Sequence, residues 1–191
     1  MFYRCNSLTS IDLSNFDTQK VNNMSNMFNG CNSLTSINLS NNFKTKNVKD
    51  MNGMFCGCNS LTNIDLSNFE TENVSDMGNM FRECKSLTNI DLSRFNTEKV
   101  TCIKSMFRDC ENLTNLNLNN FNTESLKEMD DIFSGCKSLK ELKLPIFNNK
   151  ILFVKNMSGI FKDCKSLTKE NIDTKDNRIL FLFDEQMKSN Q

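Results

Sequence analysis

The stretch MFCGCNSLTNIDLSNFETENVSDMGN, residues 54–79, is followed at once by MFRECKSLTNIDLSRFNTEKVTCIKS, residues 80–105, which repeats its apolar columns. Working outward, Met-Phe or Ile-Phe recurs at Met1, Met27, Met54, Met80, Met106, Ile132 and Ile160, at spacings of 26, 27, 26, 26, 26 and 28 residues. Behind it run a cysteine column (Cys5, Cys31, Cys58, Cys84, Cys110, Cys136, Cys164) and a leucine column (Leu8, Leu34, Leu61, Leu87, Leu113, Leu139, Leu167). Then come Ile11, Ile37, Ile64, Ile90, Leu116 and Leu142, next Leu13 and its equivalents, and finally Phe16, Phe43, Phe69, Phe95, Phe121 and Phe147. A fixed period of this length is the signature of stacked supersecondary units.

Within a unit, Leu34-Thr-Ser-Ile37-Asn-Leu39 ends in the apolar–polar alternation of a strand with one buried face. Beyond it, Val48, Met51, Met54, Phe55 and Cys58 fall at helical spacing, with Thr45 placed to cap and Gly57 placed to stop, so the spacing predicts a helix. The expected class is α/β: a solenoid with one short parallel strand and one helix per unit of about 26 residues. Neither element buries its apolar face alone. Six such side chains per unit, at about 1.5–3 kcal/mol each when buried, make stacking the driving force. The chain reads as one domain, with tandem repeats over 1–159 and a divergent capping repeat over 160–191, where Glu170 replaces the inner Ile or Leu and Leu180, Phe183 and Met187 form a helical stripe. No polar end precedes Met1, so an open apolar face and end-to-end association through it are expected at the first repeat.

The pattern Met-Phe-x-x-Cys-x-Ser-Leu-Thr-x-Ile-Asp-Leu-Ser-x-Phe-x-Thr-x-x-Val-x-x-Met, with its Leu8-x-x-Ile11-x-Leu13 strand core, resembles the BspA-like leucine-rich-repeat surface proteins in their mycoplasma-type 26-residue form. The resemblance runs from residue 1 to about 168 and implies a solenoid with a parallel sheet on one side, used on cell surfaces for adhesion or host contact. Ordinary leucine-rich repeats carry Asn or Cys where Phe16 and its equivalents stand, so horseshoe curvature does not carry over.

Charge and chemistry narrow the function. The 23 Lys and Arg balance 23 Asp and Glu, which gives no electrostatic pull toward nucleic acid, and no run approaches the length of a membrane helix. There is no histidine, which removes most nucleophile triads, and no glycine-rich phosphate loop; Gly30, Gly57 and Gly135 recur at one turn position. Asp65 and Asp91 are expected on adjacent strands, but they recur because the unit recurs, so no catalytic pair is read from them and the chain is not expected to be an enzyme. The cysteines are read as small buried hydrophobes, ahead of disulfides, whose geometry the spacing of packed helical segments opposes, and ahead of a metal site, for which only Cys56 and Cys58 are close. No metal and no cofactor is expected. Asn23, Asn38, Asn73, Asn112 and Asn156 open Asn-x-Ser/Thr triplets that composition alone accounts for.

The candidate site is the strand face turned away from the core. Thr9, Thr35, Thr62, Thr88 and Thr114 form one polar ladder, Asp12, Asn38, Asp65, Asp91 and Asn117 a second, and Ser14, Ser40, Ser67 and Ser93 flank them. Asn alternating with Asp limits like-charge repulsion between strands about 4.8 Å apart. Lys140, Glu141 and Lys143 break the pattern near the C-terminal end. The candidate binding residues are Thr35, Asn38, Thr62, Asp65, Thr88, Asp91, Thr114 and Asn117, facing a protein or glycan; mutual bonding along a solvated sheet is the competing role. Two functions stay open: a surface recognition or adhesion module, extracellular by resemblance, and an intracellular protein-interaction scaffold.

Overall fold

In a parallel stack, every unit must give its backbone hydrogen-bonding groups to its neighbours or to its own turns. A computed structural model, which describes residues 1–39, 42–147 and 157–189, shows both. Ser40 and Asn156 lie outside the described residues. Strands β1 (Ser10–Asp12) and β2 (Ser36–Asn38) pair in parallel, Ser10 opposite Ser36. Farther along, β3 (Asn115–Asn117), β4 (Glu141–Lys143) and β5 (Ile172–Asp173) form a second parallel sheet. Residues 63–65 and 89–91 occupy the equivalent places in the units between but do not pair as strands; there the Thr88 N–H donates to the Thr62 carbonyl and the Thr114 N–H to the Thr88 carbonyl, each at 3.2 Å. On another side of the coil, a line of parallel bridges is unbroken: Asn23, Asp50, Asp76, Cys102 and Glu128, each joined to the next.

Among the described residues, the helix expected in each tandem repeat does not form, whereas the helical stripe expected in the last repeat does. Among the described residues the α-helix is α1 (Asn177–Ser189), and Val48 to Cys58 is a chain of tight turns. Met54, Cys56 and Cys58 donate three residues back, to Met51, Gly53 and Phe55. The alternate amides leave the unit: Met51, Gly53, Phe55 and Gly57 donate to the carbonyls of Asp76, Gly78, Met80 and Arg82 at 2.7–2.9 Å. What excludes the helix is the backbone at two positions four residues apart, both left-handed in successive units: Asn26 and Gly30, Gly53 and Gly57, Asn79 and Glu83, Ser105 and Asp109, Asp131 and Gly135, Gly159 and Asp163. An α-helix admits no such residue, whereas Gly, Asn and Asp adopt φ > 0 at little cost. Gly57, at φ 71°, is therefore a turn residue and not a helix stop. Thr45 is no cap either, and its true role is given below.

Apolar columns meet inside the coil. Phe28, Phe55, Phe81, Phe107, Phe133 and Phe161 are all buried, and each ring lies nearly parallel to the next with centroids 5.5–6.4 Å apart. Phe43, Phe69 and Phe95 make a second stack near the strand exit. The inner strand column is less covered than expected: Ile11, Ile37, Ile64 and Ile90 are only partly buried, while Leu116 and Leu142 are fully inside.

The first stack ends against α1, where Phe183 meets Phe161 edge-on at 5.2 Å. Gln186 stands in for a following unit: its side-chain oxygen accepts the Phe161 N–H at 3.0 Å, a bond that Phe55 or Phe81 makes with the next unit's carbonyl, and its amide donates to the Met157 carbonyl. The Arg178 guanidinium holds the buried Asp176 carboxylate at 2.6 Å, keeps its pKa below the ordinary value, and also donates to the Phe147 carbonyl.

Candidate functional site

The residues expected at the site do share one face. Thr35, Asn38, Thr62, Asp65, Thr88, Asp91 and Asn117 are exposed and Thr114 is half-buried. Much of their hydrogen-bonding capacity is already engaged. The Thr35 hydroxyl donates to the Thr9 carbonyl of the preceding unit at 2.9 Å, and Thr88 and Thr114 reach the Thr62 and Thr88 carbonyls at 3.4 and 3.3 Å. In the second row three of these side chains close local turns: Asp65 Oδ1 accepts the Ser67 N–H, Asp91 Oδ1 the Ser93 N–H, and Asn117 Oδ1 the Asn119 N–H, at 2.9–3.0 Å. These are Asx turns, for which an Asp or Asn two residues before Ser or Asn is the sequence signal. The bonds from Ser67 and Ser93 favour the charged carboxylates and hold Asp65 and Asp91 below the usual range, as Ser14 does for Asp12. Asn38 donates across the units to Asp12 at 2.9 Å, so Asn between aspartates supplies a bond as well as diluting charge.

Two columns outside the candidate site hold the frame. Thr18, Thr45, Thr71 and Thr97 are buried, and each hydroxyl clasps one residue of the next unit at both ends. Thr71 Oγ1 donates to the Asn96 carbonyl at 2.9 Å and accepts the Asn96 N–H at 2.8 Å; Thr45 does the same with Glu70. The buried cysteines add a weaker version, each thiol donating to the preceding unit's Phe carbonyl: Cys84 to Phe55, Cys110 to Phe81 and Cys136 to Phe107, all at 3.1 Å. All nine thiols are free. Burial raises those of Cys84, Cys110 and Cys136 well above the ordinary value, and that of Cys164 to about 12, which suits inert packing groups and not nucleophiles. Among the described residues no three potential ligands converge on a metal position, and no helix is long and apolar enough to cross a membrane.

Repeats that share strand, turn and column positions have relatives that can be recognised. The model of a family described as "Mycoplasma protein of unknown function, DUF285" matches residues 1–114 and, overlapping, 88–180. The chain belongs to this family. Of solved structures, a leucine-rich-repeat protein from T. pallidum superposes with a TM-score of 0.52 at 21% identity, over 88% of this chain and 64% of that one. A leucine-rich cell surface protein from Faecalibacterium prausnitzii (16% identity, TM-score 0.33, 95% of this chain and 63% of that one) and a leucine-rich-repeat protein from Bacteroides ovatus (18%, 0.36, 91% and 62%) are more distant. The chain thus spans less than two thirds of the length of each of these proteins. No curated protein matches it. The likeness to the T. pallidum protein shows a leucine-rich-repeat-like fold, in agreement with the short parallel strands.

Proposed function

We propose that the chain is a non-catalytic recognition module of a surface protein, a single domain whose last repeat, 160–191, caps the stack. Its partner, a protein or glycan, meets the polar strand face at Thr35, Asn38, Thr62, Asp65, Thr88, Asp91, Thr114 and Asn117. The observation that carries this reading is the exposure of that row on a backbone held from unit to unit by the bonds described above, which gives a broad, pre-ordered surface of short side chains. Adhesion is the use that the resemblance to BspA-like repeat proteins suggests. The test is a screen of host proteins and glycans with the folded chain and with the quadruple variant Thr62→Ala, Asp65→Ala, Thr88→Ala, Asp91→Ala. A partner that binds the first and not the second supports the face; a folded variant that keeps every partner removes it.

A second reading, an intracellular interaction scaffold, is favoured by the nine free thiols, which suit a reducing compartment. Protease shaving of intact source cells separates the two. Peptides of this chain released without leakage of a cytosolic control place it outside; their absence, with the chain expressed and a surface control cleaved, supports the scaffold.

A further inference from the structure

A ladder that repeats itself offers a ligand several equivalent registers. Thr62 and Asp65 differ little from Thr88 and Asp91, so a partner shifted by one unit finds nearly the same contacts. Specific placement requires a row that changes from unit to unit.

Such a row lies where the chain leaves the strand face. Two open cavities of about 500 and 430 Å³ adjoin there, with Lys44 and Glu70 in the lining of both. Their charges run in bands across successive units: Asp17, then Lys44 and Lys46, then Glu70 and Glu72, then Arg94. Among the described residues none of these six side chains joins an ion pair, whereas Arg82, Lys85, Arg108 and Lys137 on the turns and Lys169, Arg178 and Lys188 in the cap all do. The loop backbone beneath is fixed by the threonine clasps: Lys44 and Glu70 each accept, through their carbonyls, the hydroxyl of the unit before. Arg94 also donates to the Ser67 carbonyl at 3.5 Å and helps to lower the carboxyls of Asp65 and Asp91. Fixed backbone, open volume and charge of alternating sign therefore coincide.

We propose that this groove sets the register of a polypeptide partner by reading an extended segment whose charges alternate in the complementary order, positive, negative, positive, negative, from the first unit to the fourth. An anionic glycan meets the carboxylates of Asp17, Glu70 and Glu72, and a neutral one leaves all six charges unused; an extended peptide supplies both signs at a side-chain repeat close to the spacing of the units. The inference rests on the chain being a recognition module but not on the strand face itself.

The test titrates the whole chain, by NMR or calorimetry at low salt, with three probes: a synthetic peptide Lys-Ser-Glu-Ser-Lys-Ser-Glu, a peptide of the same composition with its charges segregated, Lys-Ser-Lys-Ser-Glu-Ser-Glu, and a neutral oligosaccharide of similar length. The alternating peptide is expected to bind about tenfold or more tighter than the segregated one, with an affinity that falls as salt rises. The double swap Lys44→Glu, Glu70→Lys, at exposed positions, should cut that preference severalfold, while the swap Lys137→Glu, Glu111→Lys, of an ion pair on the turns, leaves it intact. Equal binding of both peptides, binding of the oligosaccharide alone, or no binding overturns the groove. Loss of peptide binding on Asp65→Ala with Asp91→Ala, with no effect of the Lys44/Glu70 swap, also overturns it and leaves the strand face as the site.

Discussion

Replacing Thr71 by valine changes almost no volume and removes one hydroxyl, so it isolates the clasp between units. Thr71 is 2% exposed, and its Oγ1 serves both the carbonyl and the N–H of Asn96, at 2.9 and 2.8 Å. Valine satisfies neither. Each backbone group left without a partner costs about 1–3 kcal/mol, and since the loop edge admits some water the sum is expected at about 2–4 kcal/mol. Thr71→Ser keeps the hydroxyl and loses a methyl, at about 1 kcal/mol. Urea unfolding followed by circular dichroism measures both, through a lowered midpoint at unchanged slope. Native-state hydrogen exchange should show the loss concentrated in the units on either side of the Thr71–Asn96 contact, because units in a stack couple mainly to their neighbours. A valine variant within 0.5 kcal/mol of the parent, or less damaged than the serine variant, refutes the clasp.

Gln186→Ala removes the side chain that completes the last unit, and amide exchange at Phe161 should accelerate about tenfold while the central units keep their protection. Thiol labelling at pH 8 should modify the exposed Cys5 at once and reach Cys84, Cys110 and Cys136 only at the rate of global unfolding; rapid labelling of all nine contradicts the packing. The depressed carboxyls of Asp12, Asp65 and Asp91 contribute stability that is present above the unfolded aspartate value near 4 and is lost as pH falls through their lower folded values. NMR titration of the Asp91 carboxyl should therefore give a midpoint below the unfolded one, and Asp91→Asn, which keeps the acceptor, should remove its share of the acid dependence.

Periodicity was enough to reveal the stack, its inward columns and the strand positions, because burial acts alike on every unit and prints itself repeatedly. The turn-rich side was misread for a physical reason. Val48, Met51, Met54, Phe55 and Cys58 fit a period of 3.6 over so short a span, yet they also fit turns closed three residues back. The discriminating signal was present in Asn26, Gly53, Asn79, Asp131 and Gly159, residues that tolerate φ > 0 in a column broken only by Ser105; in three of the units, at Asn26, Gly53 and Asp131, it stands four positions before Gly30, Gly57 and Gly135. The strand face was placed correctly in space, but its chemistry was overstated: Asp65-Leu66-Ser67 is a turn closure as much as a contact surface. Thr71 and its equivalents could not be told from caps, since a clasp and a cap use the same hydroxyl and differ only in which backbone it reaches.

The phenylalanine stack makes the molecule a one-dimensional crystal. Each interior ring is a lattice plane, and Phe183 of α1 meets the plane of Phe161 edge-on. Such a lattice does not register how many planes precede that contact. A second copy of residues 80–105 spliced in after Ser105 would meet on both sides the surfaces that the first already meets, and would lengthen the axis by one step close to the 5.8 Å between Phe81 and Phe107. Reach along a partner, and the order of charges in the groove, can thus be altered by duplicating whole planes without redesigning any one of them.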